Sequence, residues 1–190
     1  TKNFTIEDLE LLPFPKRVSL GESFSLIGNE VRAYTQNINY DNELLKQFVT
    51  ELKEDFGIEL TISKKQLVEF ELPELLMAEP VHKEGYTIEI NAERAILNSS
   101  SLQGLFYAFQ TFRQLLTNGE NYSRKMGGFD GYLIPHVNVM DWPTLEVRGI
   151  ADDVSRGQIP TVESVKRFIK ILSQYKNNHY AMYIEDVFQS

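Results

Sequence analysis

The sequence predicts an α+β fold: a mostly antiparallel sheet with two helices on one face, followed by a single β-α-β unit. Three observations carry this. Two apolar stripes of helical period lie among short strand-like runs in a β-α-β-β-β-β-α-β order, which suits a sheet buried on one side. After Asp141-Trp142-Pro143 the rhythm changes to strand, loop, helix, strand. Hydrophobic residues make up 42% of the 190 residues and aromatics 12%, enough to build a core. The boundary falls near residues 141–146, giving 1–143 and 144–190, and neither part contains an internal repeat.

Taken in order, residues 1–15 read as irregular, with Pro13 and Pro15 holding Phe14 extended. Phe24 to Ile27 and Val31 to Thr35 are strand candidates parted by Gly28-Asn29. Over 41–56, Leu44, Leu45, Phe48, Val49, Leu52 and Phe56 share one helical face, with Asp41 as a cap and Gly57 as the stop. Residues 58–62 and 67–72 alternate like strands. Residues 86–98 read as a hairpin turning at Asn91-Ala92-Glu93.

Ser100 and Gln103 suggest a capping box for a second helix, which Asn118-Gly119 should end. Leu102, Leu105, Phe106, Phe109, Phe112 and Leu116 form its stripe. Residues 119–131 read as loop and Leu133 to Val139 as a strand. Beyond the boundary, Val147 to Ile150 is an apolar run, Thr161 caps a helix, and Tyr180 to Ile184 is the next strand.

Charge and composition narrow the function. Nineteen basic against 27 acidic residues give a formal net charge of −8, which disfavours nucleic acid and anionic lipid as partners. No apolar run approaches the ~20 residues of a spanning helix. The absence of cysteine removes disulfides, thiolate nucleophiles and Cys-ligated zinc. The chain opens at Thr1 without a basic and apolar leader, as expected of a processed chain.

Chemistry in a β-α-β unit is expected at the carboxyl ends of the strands, where Arg156 follows the first and Asp186 the second. A guanidinium fork and a carboxylate suit a polyhydroxylated ligand; a solvated loop is the plainer reading of the same spacing. His82, His136 and His179 lack metal-ligand spacing, Asp152-Asp153 has no third ligand nearby, and no cofactor is expected. Ser155 has no nucleophile-elbow context. Trp142 before Pro143 reads as a boundary plug.

The residues from 141 onward resemble a known family. Asp141-x-Pro143, Arg148-Gly149-Ile150, Asp153-Val154-Ser155-Arg156, Val165-Lys166-Arg167, Tyr175-Lys176-x-Asn178 and Glu185-Asp186 are similar to the opening of the catalytic barrel of glycoside hydrolase family 20, the β-N-acetylhexosaminidases. Gly85-Tyr86-x-Ile88 and Leu102-x-Gly104-Leu105-Phe106-Tyr107-Ala108-x-Gln110-Thr111-x-Arg113-Gln114-Leu115 resemble the hairpin and helix of the domain before that barrel. Leu12-Pro13-x-Pro15 fits its start.

The resemblance implies an accessory α+β domain over 1–143 and the truncated start of a (β/α)8 barrel over 144–190, since fewer than fifty residues follow Pro143 against the ~250 of a whole barrel. It implies an amino-sugar glycan substrate, hydroxyl binding by Arg156 and Asp186, and substrate-assisted hydrolysis in which an Asp-Glu pair orients the acetamido group and supplies the acid. No Asp-Glu dipeptide occurs in the 190 residues, so no catalytic residue is assigned and the chain alone is expected to be inert. An exported parent, periplasmic or secreted, is compatible with this.

Two departures bear on sugar specificity: Gly157-Gln158-Ile159 after the Arg, and Glu185-Asp186 where the family has a Thr-Asp-Asp-like run. Apolar faces on 144–190 lead to the expectation of a homodimer through that segment. The alternative of another class is a non-catalytic domain that binds a glycan or a protein. Families 84 and 67 carry similar preceding domains, but Asp153-Val154-Ser155-Arg156 favours family 20.

Overall fold

The computed structural model describes residues 4–34, 42–63, 82–128, 130–155 and 159–185. The strand expected at 67–72 lies outside them. The chain divides into two units, Thr1–Trp142 and Pro143–Ser190.

In the first unit, β1 (Arg17–Ile27), β6 (Tyr132–Asp141), β4 (Tyr86–Ile90) and β5 (Ala95–Ser99) form a four-stranded sheet in that spatial order. Every pairing in it is antiparallel. Tyr86, Ile88 and Ile90 are buried in alternation and register with Asp141, Val139 and Val137, so these residues share the core face. β2 (Glu30–Tyr34) and β3 (Glu59–Ser63) stand apart as a parallel pair joined through α1 (Glu43–Phe56). A helical crossover returns the chain in the same direction, which accounts for the parallel pairing inside an otherwise antiparallel domain.

Helix α2 (Leu102–Met126) packs on β4, β5 and β6 and carries α1 beside it. Phe48 of α1 stacks on Phe109 of α2, with ring centroids 3.8 Å apart and 7° between planes. The helices close over a core that includes Leu52, Ile88, Ala108, Leu115, Leu116 and Val139. Arg113 of α2 donates to Glu51 Oε2 at 2.7 Å and also pairs with Asp55, fastening the two helices.

Several boundaries differ from expectation. β1 begins at Arg17 rather than Phe24, because its register shifts between Leu20 and Phe24 and breaks the sequence alternation. The α2 cap is Ser101, whose side chain accepts from Gly104 N at 3.0 Å, not Ser100. Gln103 turns to Glu84 and Tyr107 instead of closing a box.

α2 also runs through Asn118-Gly119 to end at Gly127. A Cβ on Gly119 would lie 3.1 Å from the Leu133 carbonyl oxygen, so the residue serves close packing on β6 rather than a helix stop. Gly104 has a stronger need: a Cβ there would meet Ser99 Oγ at 2.2 Å and Gly85 O at 2.4 Å. The α1 cap is Asn42, while Gly57 closes that helix at φ 65° as expected.

In the second unit, β7 (Gly149–Asp153) and β8 (His179–Tyr183) pair in parallel, joined through α3 (Val162–Gln174). Thr161 caps α3, accepting from Ser164 N at 3.2 Å. Phe168 of α3 meets Tyr180 edge-on at 5.8 Å. β7 starts two residues later than expected because Arg148 belongs to a knot at the amino edge. Its carbonyl accepts from Asn178 N and His179 N, and its N–H donates to Asn178 Oδ1 at 2.9 Å. Its guanidinium donates to the Lys176 and Leu145 carbonyls. Gly149 is required there, since a Cβ would sit 1.8 Å from His179 O.

Candidate functional site

The carboxyl edge of β7 and β8 is the place where chemistry was expected. Arg156 and Asp186 both lie outside the described residues. What the structure places is the rim from which they follow.

The Phe168–Tyr180 contact fixes which way each strand faces. Tyr180 points to α3, and its hydroxyl donates to Asp152 Oδ2 at 2.8 Å on that same side. Alternation then puts Gly149, Ala151 and Asp153 of β7, with His179, Ala181 and Tyr183 of β8, on the face away from α3. Asp153 and Tyr183 are register partners at the last rung, and Val154 N donates to Tyr183 O at 3.1 Å just beyond it.

Asp153 Oδ1 accepts from Ser155 N at 2.9 Å and from the Ser155 hydroxyl. Those two bonds hold its carboxyl below the usual range. The Tyr183 hydroxyl donates to Glu185 Oε1 at 2.8 Å. That bond, a lesser desolvation and the nearby Asp153 charge push the phenol above its ordinary value. The rim therefore presents the Asp153 and Glu185 carboxyl groups beside a phenol that keeps its proton at neutral pH. Such a set accepts hydrogen bonds from hydroxyls and cannot act as a nucleophile of the Ser-His type.

The other sequence candidates do not join this rim. Asp152 and Asp153 face opposite sides of the strand and do not converge on one ion. Among the described residues no group of three His, Cys, Asp or Glu could hold a metal. His82 Nδ1 accepts from Glu84 N. His136 Nε2 lies 2.9 Å from Ser25 Oγ, whose proton goes to Asn91 O at 3.0 Å, so the ring nitrogen is the donor and Ser25 is not activated. His179 stands at the opposite end of β8 from the rim.

Trp142 lies under Lys16 Nζ at 5.1 Å and the Arg17 guanidinium at 5.6 Å. Beside it, Asp141 accepts from Tyr86 Oη at 3.0 Å and Lys16 N at 3.2 Å. What the sequence reading missed is Tyr183 and its bond to Glu185, a residue it had noted only as a departure. Its signal was present: with Asp153, these positions alternate onto one side of the strand ends. Among the described residues no helix is long and apolar enough to cross a membrane.

The sequence profile described as "Glycosyl hydrolase family 20, domain 2" matches residues 8–142. The chain belongs to glycosyl hydrolase family 20. The matched segment is the first unit almost in full, and the family 20 chain is similar to named relatives. A beta-hexosaminidase of Vibrio furnissii is 32% identical over 113 residues, covering 59% of this chain and 17% of the relative. A beta-hexosaminidase of Porphyromonas gingivalis is 28% identical over 107 residues, covering 56% of this chain and 13% of the relative. The chain thus spans less than a fifth of the length of these curated relatives.

Among solved structures, a mutant Streptomyces plicatus beta-hexosaminidase in complex with product (GlcNAc) superposes with a TM-score of 0.70 at 21% identity, covering 94% of this chain and 35% of that one. The likeness extends over both units. It supports the fold class read from the sequence, an α+β domain with two helices on its sheet followed by a β-α-β unit of the kind that opens a (β/α)8 barrel.

Proposed function

We propose that the protein containing this chain removes terminal β-linked N-acetylhexosamine, N-acetylglucosamine or N-acetylgalactosamine, from glycans by substrate-assisted hydrolysis with retention. The family 20 match over residues 8–142 carries this reading. In support, the curated relatives are named beta-hexosaminidases, and one structural neighbour holds GlcNAc. On this reading residues 1–143 form the accessory domain and 144–190 open the barrel, with Arg156 and Asp186 binding hydroxyls of the terminal sugar. The nucleophile is the substrate's own acetamido carbonyl, so no metal or cofactor enters.

An Asp-Glu pair, absent from these 190 residues, would orient that carbonyl and protonate the leaving oxygen. The 190 residues alone should therefore give no turnover. In the full-length gene product, Arg156→Ala should lower kcat/KM by the worth of a charge-assisted hydrogen bond, about 1.5–3 kcal/mol or roughly ten- to a hundredfold, with the fold retained. Unchanged kinetics on an aryl N-acetyl-β-hexosaminide would remove Arg156 from the site.

A further inference from the structure

Asp153 and Tyr183 are partners on the last rung of the β7–β8 pair. Arg156 and Asp186 each follow three residues later in the sequence. The register of the two strands therefore sets the relative height at which the chain leaves the sheet toward each of them. A slip of one residue would offset these points by about 3.3 Å and turn one strand's side chains to the opposite face. A misplacement of about 1 Å is enough to cost an enzyme up to about a hundredfold in rate.

The register is pinned at the far edge of the pair, by contacts wholly within the second unit. Asn178 makes most of them. Its side chain reaches across to the chain entering β7: Oδ1 accepts from Arg148 N at 2.9 Å and Nδ2 donates to the Glu146 carbonyl at 2.8 Å. Its backbone N–H and that of His179 both donate to the Arg148 carbonyl, at 2.9 and 3.0 Å. The turn that delivers Asn178 is tied to the same residue. Lys176 stands in the left-handed region at φ 62°, and its carbonyl accepts from Arg148 Nε at 3.1 Å. On the first rung only glycine fits opposite His179, because a Cβ at Gly149 would lie 1.8 Å from His179 O. A shifted ladder would bring Arg148 or Ile150 against His179 and separate the Asn178 amide from both its partners.

We propose that Asn178 is a positioning residue for the terminal-sugar site: through the β7–β8 register it holds Arg156 in step with Asp186. The inference rests on the hexosaminidase reading above, in which those two residues bind the sugar. Asn178 stands one residue before the first of the five rungs, so it touches no substrate and acts through the strands. Without its side chain, Gly149 and the backbone bonds remain, so the register loosens rather than slips.

The experiment uses the full-length gene product and an aryl N-acetyl-β-glucosaminide, assayed well below the unfolding temperature so that every variant is folded. Asn178→Ala should lower kcat/KM about three- to tenfold. In an Arg156→Ala background the same change should cost less than about twofold, because the residue it positions is already gone. Asn178→Asp keeps the acceptor for Arg148 N and loses the donor to Glu146. It should fall between Asn178→Ala and wild type, and it carries the test if Asn178→Ala folds poorly.

A purely structural role would lower the unfolding temperature and leave the kinetics wild-type; that result in both Asn178 variants would overturn the assignment. An equal loss with and without Arg156 would overturn it too. If Arg156→Ala is impaired while the Asn178 variants are not, this inference alone fails. If the unaltered protein does not hydrolyse the substrate, the hexosaminidase reading fails and this inference with it.

Discussion

Replacing Arg113 by alanine should loosen the first unit by several kcal/mol, because it strands a buried carboxylate. Arg113 Nη1 lies 2.7 Å from Glu51 Oε2, with the two side chains only 11% and 9% exposed. Nη2 pairs with Asp55, whose side chain is 34% exposed. Removing one partner of a buried ion pair costs about 3–5 kcal/mol, since the remaining charge stays desolvated. The exposed Asp55 contact adds no more than about 1 kcal/mol.

With a urea slope of about 1–3 kcal/mol/M, the unfolding midpoint should fall by more than about 1 M. Circular dichroism of the helices reads this directly. Arg113→Met combined with Glu51→Leu should recover most of the loss, because well-packed apolar replacements of a buried pair are close to neutral. A loss below about 1 kcal/mol in Arg113→Ala, or a double variant no better than the single, would refute the claim that a buried charge locks α1 to α2.

Four further outcomes follow from the geometry. Gly104→Ala should destabilise the domain by about 1–3 kcal/mol, because its Cβ would meet Ser99 Oγ at 2.2 Å and backbone at 2.4 Å. Gly28→Ala, with nothing within 4 Å, should shift the urea midpoint little. Alkaline titration should show stability falling between pH 10 and about 12: Tyr122, pushed up to about 12 mainly by desolvation, ionises first in the unfolded chain, and Tyr122→Phe should flatten that part of the curve. Light scattering on the 190-residue chain should show association, since Ile150, Val162, Ile169 and Ile171 are 39%, 70%, 45% and 40% exposed; a clean monomer with a protease-resistant second unit would contradict it.

The helices were legible because long apolar stripes survive local noise. The Leu105–Phe109–Phe112–Leu116 stripe could be read without its neighbours. Where the reading failed, tertiary contact had overridden local signals. Asn118-Gly119 reads as a stop, yet the glycine is there so that α2 can lie against β6. The Arg17–Ser23 half of β1 was hidden by a register shift that its partner strand absorbs. The parallel β2–β3 pair could not be foreseen, because strand direction depends on where the α1 crossover lands.

At the candidate site the sequence pointed to the strand ends and to Arg156 and Asp186. It named Glu185 only as a departure bearing on sugar specificity and did not single out Tyr183, whose hydroxyl donates to it. The Arg148-Gly149 and Lys176-x-Asn178 motifs, quoted first for their resemblance, gained a physical role as the knot that sets the β7–β8 register.

Hydrolysis of a chromogenic N-acetyl-β-glucosaminide, followed by the anomer first released, tests the functional account most directly. The full-length gene product containing residues 1–190 should release the β-anomer, while the isolated 190 residues should release nothing. Turnover that co-purifies with the 190-residue chain, release of the α-anomer, or no turnover by the full-length product would contradict it.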